Sequence, residues 1–173
     1  MKPIIGLVGP SGSGKTTLIL ELLKLHPDLR IMKSFTTRPR REPQDDLFYE
    51  FITNDELKKM EDANRLTHIS EYAGNYYTNN KQYLNNLLCN SFGIAALVQS
   101  GINFLRLAGY KVIVIQITPV HSDFIRDINR IQADKNRFKN SLTADLIVEN
   151  SFKDGGLQAS LQIISNFITQ QLT

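Results

Sequence analysis

The run Gly9-Pro10-Ser11-Gly12-Ser13-Gly14-Lys15-Thr16 sets glycines, a lysine and a hydroxyl where they can handle phosphate. It satisfies G-x-x-x-x-G-K-[ST] in full, between an apolar run and an amphipathic one, which is the setting that motif requires. Glycines let the backbone curl until successive N–H groups face phosphate oxygens. A helix opening near Gly14 adds the positive end of its dipole. Lys15 reaches the β- and γ-phosphates, and the Thr16 hydroxyl suits Mg2+. Gly9, Ser11, Gly12, Ser13, Gly14, Lys15, Thr16 and Thr17 are the candidate ATP ligands, with Thr16 the metal ligand. The loop implies ATP or GTP binding; what the phosphate is used for must be written elsewhere in the chain.

Two basic sets follow. Ser34-Phe35-Thr36-Thr37-Arg38-Pro39-Arg40-Arg41 combines hydroxyls with guanidiniums, whose planar forks match phosphate geometry. Such a cluster alone is usually a solvated loop; beside a phosphate loop it is a candidate second anion site. Arg126, Arg130 and Arg137 fall at i, i+4 and i+11, one face of a continuous helix. Phosphoryl transfer needs positioning and charge neutralisation, which converging guanidiniums provide.

These residues need a scaffold, and the pattern of the chain supplies one. Pro3–Val8, Leu29–Lys33, Gly93–Val98, Lys111–Ile117 and Asp145–Glu149 read as strands. Helices are expected over Gly14–Leu25, Lys81–Asn90, Ile102–Ala108, from Pro119 to about Lys139, and over Leu157–Leu172. Strands alternating with helices imply an α/β fold with a parallel sheet flanked by helices. From about Ser34 to Gln82 the alternation breaks. Lys33–Asp46 reads as a loop, Leu47–Ile52, Thr67–Tyr72 and Asn75–Thr78 as strands, and Thr53 with Glu56 as a capping box opening a helix. This block reads as an inserted subdomain within one domain.

Composition narrows the class. The 173 residues are 42% hydrophobic and 21% charged, a globular balance. The longest apolar runs are far short of the ~20 residues of a membrane helix. A net charge of +3 from 20 basic and 17 acidic residues gives no basic stripe for nucleic acid. The single cysteine, Cys89, rules out an intrachain disulfide and suits a reducing cytoplasmic setting. Cys89 reads as a small core hydrophobe; His26 and His121 read as surface residues. The chain alone leaves monomer and homodimer open.

Together the motifs resemble the guanylate kinase family. Ser34–Arg41 is similar to its acceptor-phosphate loop, Glu71-Tyr72-Ala73-Gly74-Asn75-Tyr76-Tyr77 to its G-N-Y-Y segment, and Asp145–Asn150 to a late strand ending in Asn near the adenine site. The resemblance implies a P-loop NTPase core (1–33 and 83–173), a nucleoside-monophosphate-binding insertion (34–82) and a short lid (about 125–140). It implies transfer of the γ-phosphoryl of Mg·ATP to a monophosphate, GMP by family weight. By the same analogy Ser34, Arg38, Arg41, Tyr49 and Tyr77 hold the acceptor phosphate; His68, Glu71 and Asn79 lie at base-reading positions; Asn150 lies by the adenine; and Arg126, Arg130 and Arg137 join Lys15 in catalysis. Three departures stand out. His68 replaces a base-reading Glu, and Asn79 a Ser or Thr. Ala96 and Val98 replace two aspartates of the family's L-D-I-D-x-Q-G segment. The lid is shortened and lacks Gly-Arg-Gly. These departures point to two alternatives: a related kinase with another acceptor, such as a different nucleotide or a ribose phosphate, or a weakly active or inactive nucleotide-binding module.

Overall fold

The computed structural model describes residues 1–72, 74–120, 143–151 and 155–172. Its centre is β1 (Ile4–Val8), buried at all five positions. Around it lie β2 (Leu29–Ile31), β7 (Phe92–Ala96), β8 (Val112–Pro119) and β9 (Leu146–Asn150), in the order β2-β7-β1-β8-β9. Every pairing in this sheet is parallel. A parallel sheet must be covered on both faces, so its central strands are apolar throughout rather than alternating.

The two faces bury different halves of β1. Ile5 and Leu7 pack with Leu18, Ile19 and Leu22 of α1 (Lys15–Leu25), and with Leu161, Ile164 and Ile168 of the last helix, Gly156–Leu172. Ile4 and Val8 face Leu84 and Leu88 of α4 (Lys81–Asn90) and Ile102 and Leu105 of α5 (Gln99–Leu107). Truncating any of these fully buried leucines to alanine costs about 2–5 kcal/mol.

A second sheet, in the order β4-β3-β6-β5, is drawn from residues 34–80. β3 (Ser34–Thr36) runs parallel to β4 (Tyr49–Phe51) and antiparallel to β6 (Asn75–Asn80), which pairs antiparallel with β5 (Leu66–Tyr72). The short α2 (Asp45–Phe48) leads into β4, and α3 (Asn54–Asp62) follows it. α3 opens on the expected box: the Glu56 N–H donates to Thr53 Oγ1 at 3.1 Å, and the Thr53 N–H donates to Glu56 Oε2 at 2.7 Å.

The structure corrects four readings. The stretch read as a loop, Lys33–Asp46, holds β3 and the start of α2. β3 is Ser-Phe-Thr, too short to show an apolar period; its partners define it, the Ile52 N–H donating to Thr36 O and the Thr37 N–H to Tyr76 O. Pro119 ends β8, where it pairs in register with Asn150, rather than opening a helix; the rest of that expected helix, with His121, lies outside the described residues. His26 is buried, with 8% exposure. It caps α1, and its Nε2 pairs with Ser165 Oγ of the last helix at 2.8 Å. Cys89 is exposed, since α4 turns Leu84 and Leu88 to the core. Among the described residues no helix is long and apolar enough to cross a membrane.

Candidate active site

The loop between β1 and α1 is shaped by its glycines. Gly12 and Gly14 take left-handed φ values of 78° and 87°, which side chains with a Cβ disfavour. At Gly9 the constraint is contact, since a Cβ would stand 2.4 Å from Ile117 O of β8. The Lys15 ammonium bends back into the loop, donating to Gly9 O and Pro10 O at 2.8 Å each and to Ser13 Oγ at 3.2 Å. Thr16 and Thr17 are exposed in the first turn of α1. The predicted phosphate ligands are therefore gathered around one helix N-terminus.

Asn150 ends β9 beneath this loop. It is fully buried, and its Nδ2 donates to Ser13 O at 3.0 Å. Its Oδ1 accepts from Ser160 Oγ of the last helix at 3.0 Å. Nothing in the sequence marks Ser160, a small polar residue in an amphipathic helix.

The acceptor candidates assemble on the second sheet. Register puts Ser34 beside Tyr49 and Thr36 beside Phe51 and Tyr77. Strand alternation therefore sets Ser34, Tyr49 and Tyr77 on one face. The Tyr49 and Tyr77 rings meet edge to face at 6.2 Å. Arg38 lies over Tyr49, its guanidinium 4.9 Å from the ring centre, and only 6% of its side chain is exposed. Burial, reinforced by Tyr77, raises the Tyr49 pKa despite nearby Arg38, so at neutral pH its phenol is a donor.

Asp45 holds this cluster, and the sequence reading missed it. Its Oδ2 lies 3.0 Å from Arg38 Nη2 and accepts the Arg41 N–H at 2.9 Å. Partial burial works against its charge, but the Arg41 N–H, the Arg38 guanidinium and the Glu42 N–H outweigh that and hold its carboxyl below the usual range. The only hint was an acidic pair, Asp45-Asp46, following the arginines.

Of the base-reading positions, Asn79 shares the Tyr77 face by strand alternation and Glu71 does not. His68 stacks on Phe104 of α5, with ring centres 4.8 Å apart and planes 12° off parallel. Its Nδ1 pairs with Thr67 Oγ1 at 2.8 Å, and burial lowers its pKa, so the ring is neutral at pH 7. Asn79 is buried at 3% exposure, and its Nδ2 donates to Lys33 O at 3.3 Å. Glu71 is exposed and pairs with Tyr76, on the face opposite Tyr77. Ala96 and Val98 are exposed at the end of β7 and just beyond it. Arg126, Arg130 and Arg137 lie outside the described residues.

Known proteins can be set beside this geometry. The crystal structure of guanylate kinase from Anaplasma phagocytophilum superimposes with a TM-score of 0.74 at 20% identity, covering 99% of this chain and 87% of that one. A guanylate kinase of Rickettsia prowazekii is 32% identical over 135 residues, 77% of this chain and 68% of that protein. One of Prochlorococcus marinus is 44% identical over 78 residues, a match spanning 44% of this chain and 42% of that relative, less than half its length. The guanylate kinase family model matches residues 1–153, and the chain belongs to that family.

Proposed function

We propose that this protein transfers the γ-phosphoryl group of ATP to a nucleoside monophosphate, GMP first among acceptors, giving ADP and GDP. One observation carries the reading: a complete phosphate loop closed on Lys15 stands in the same chain as a buried arginine, Arg38, on the Ser34–Tyr49–Tyr77 face. The loop would bind the donor through its N–H groups, with Lys15 leaving its carbonyl partners for the phosphates. Arg38, Arg41 and the hydroxyls of Ser34, Tyr49 and Tyr77 would fix the acceptor phosphate. In this reading residues 34–82 form the acceptor subdomain, 1–33 and 83–173 the core, and about 125–140 a lid. Arg126, Arg130 and Arg137 would close on the transferring group, where charge stabilisation dominates.

Mg2+ fits the residues present. The exposed Thr16 hydroxyl opens α1 beside Lys15 and is a hard oxygen ligand. Mg2+ commonly rests on one or two protein oxygens, substrate phosphates and water, so Ala96 and Val98 do not prevent its binding. When bound it neutralises phosphate charge. Every other element of the mechanism belongs to the chain.

The neutral His68, at a position where the family carries a base-reading Glu, favours a second reading, the same transfer to a different acceptor. A panel of GMP, dGMP, AMP, CMP, UMP, dTMP and phosphorylated riboses, with ADP release as readout, separates the two. GMP-selective turnover supports the first reading, and turnover with another member supports the second. ATP binding with no turnover on any acceptor would overturn both.

A further inference from the structure

The last helix has no assigned part in the reaction, yet one of its side chains reaches the phosphate loop through a single intermediary. We propose that Ser160 is a positioning residue for the loop, acting through the Asn150 amide on the Ser13 carbonyl. The proposal rests on the reading that this loop binds the phosphates of ATP.

An asparagine amide has two ends of nearly equal shape and opposite hydrogen-bonding sense. With Nδ2 on Ser13 O the contact is a hydrogen bond; flipped, two acceptor oxygens would face each other. Asn150 is fully buried and Ser160 is 1% exposed, so water is a poor substitute for either partner. The Ser160 hydroxyl gives Asn150 Oδ1 a donor at 3.0 Å and so selects the end that faces the loop. The single proton of that hydroxyl is shared with Glu149 O at 3.2 Å, Asn150 Oδ1 being the nearer acceptor.

The pinned residue matters to the chemistry. Ser13 offers its Oγ to the Lys15 ammonium at 3.2 Å, while its N–H closes the turn on Pro10 O at 3.2 Å. Holding the Ser13 carbonyl orients the peptide between Ser13 and Gly14, and with it the N–H groups that open α1. Asn150 therefore serves the donor site by fixing the loop.

The experiment has two arms. The first is amide hydrogen exchange in the nucleotide-free protein, comparing residues 9–16 with β3–β6. The second is the affinity for a non-hydrolysable ATP analogue and for GMP. Losing one buried neutral hydrogen bond is worth about tenfold. Ser160→Ala is expected to speed exchange of the loop amides about tenfold and weaken the ATP analogue similarly, with β3–β6 exchange and GMP affinity unchanged. Ser160→Cys, close in size but a weak donor, is expected to fall between and decides the matter if the alanine variant does not fold. Unchanged loop exchange, or equal acceleration in the loop and β3–β6, overturns the proposal. Failure of the wild type to bind the ATP analogue would overturn the ATP reading of the loop, and the exchange arm would still decide the role of Ser160.

Discussion

The Asp45 carboxylate stands 3.0 Å from the Arg38 guanidinium, which also donates to Pro39 O at 3.1 Å and lies over the rings of Tyr49 and Phe51. A buried arginine is thereby neutralised within the fold itself. Asp45→Asn leaves the guanidinium buried against a neutral amide. We expect a loss of about 1–3 kcal/mol in urea unfolding. The pH dependence has a definite sign. The carboxyl of Asp45 is held below its usual value, so its stabilisation is complete above about pH 4. It fades as pH falls through the lowered pKa. Asp45→Asn should flatten that acid limb.

Arg38→Lys keeps the charge and loses the fork. Lysine does not reproduce a planar group packed on an aromatic ring. The acceptor KM is expected to rise by about 10- to 100-fold, the range of one charge-assisted hydrogen bond. The KM for ATP should stay constant. Steady-state kinetics with each substrate varied in turn checks this.

Lys15→Ala removes the ammonium that sits among Gly9 O, Pro10 O and Ser13 Oγ. Removing a preorganised group aimed at developing charge lowers turnover about 100-fold or more. We expect that loss in kcat, with the acceptor KM nearly unchanged.

Phe104→Ala uncovers His68. The stacked ring is part of what keeps solvent from the imidazole, so the lowered pKa should move up toward its ordinary value, which an NMR titration of the ring reads directly. In the wild type, protonation removes an acceptor from His68. If the ring contacts the acceptor base, the acceptor KM should rise as pH falls through the His68 pKa.

His26 gives a stability test. Burial lowers its pKa, so the unfolded chain binds a proton first, near pH 6.5. Stability therefore declines as pH drops from about 7 through the lowered value. His26→Gln should flatten part of that decline, with His68 still contributing the remainder. Thermal unfolding from pH 7.5 to 5 measures it.

The parts of the fold legible in the sequence were those set by local pattern. α4 was readable over Lys81–Asn90 because its leucines recur at helical spacing, and α3 because Thr53 and Glu56 form a box. β3 was not, since Ser34–Thr36 is too short to show a pattern and becomes a strand through partners some 15 to 40 residues away. His26 follows a helix and precedes Pro27, which reads as a stop signal. Its burial comes from the last helix, which no local pattern reveals. The site divides likewise. The phosphate loop is contiguous and was complete in the sequence. Asp45, Phe104 and Ser160 act through contacts that exist only once the chain is folded.

The chain leaves the five-stranded sheet after β2 and returns to it through α4, and the two crossings are tied together. The Asn79 Nδ2 donates to Lys33 O, the Lys33 N–H donates to Tyr83 Oη at 3.2 Å, and Tyr83 Oη donates to Ile31 O at 3.1 Å. To the five-stranded sheet, the residues from Ser34 to Asn80 form one excursion that leaves and returns at this knot, and it meets the frame again where His68 stacks on Phe104 and where Phe48 packs on the core. In the proposed reading, the acceptor is met by a segment that leaves the sheet and comes back at one place, while the donor is held by a loop built into the frame.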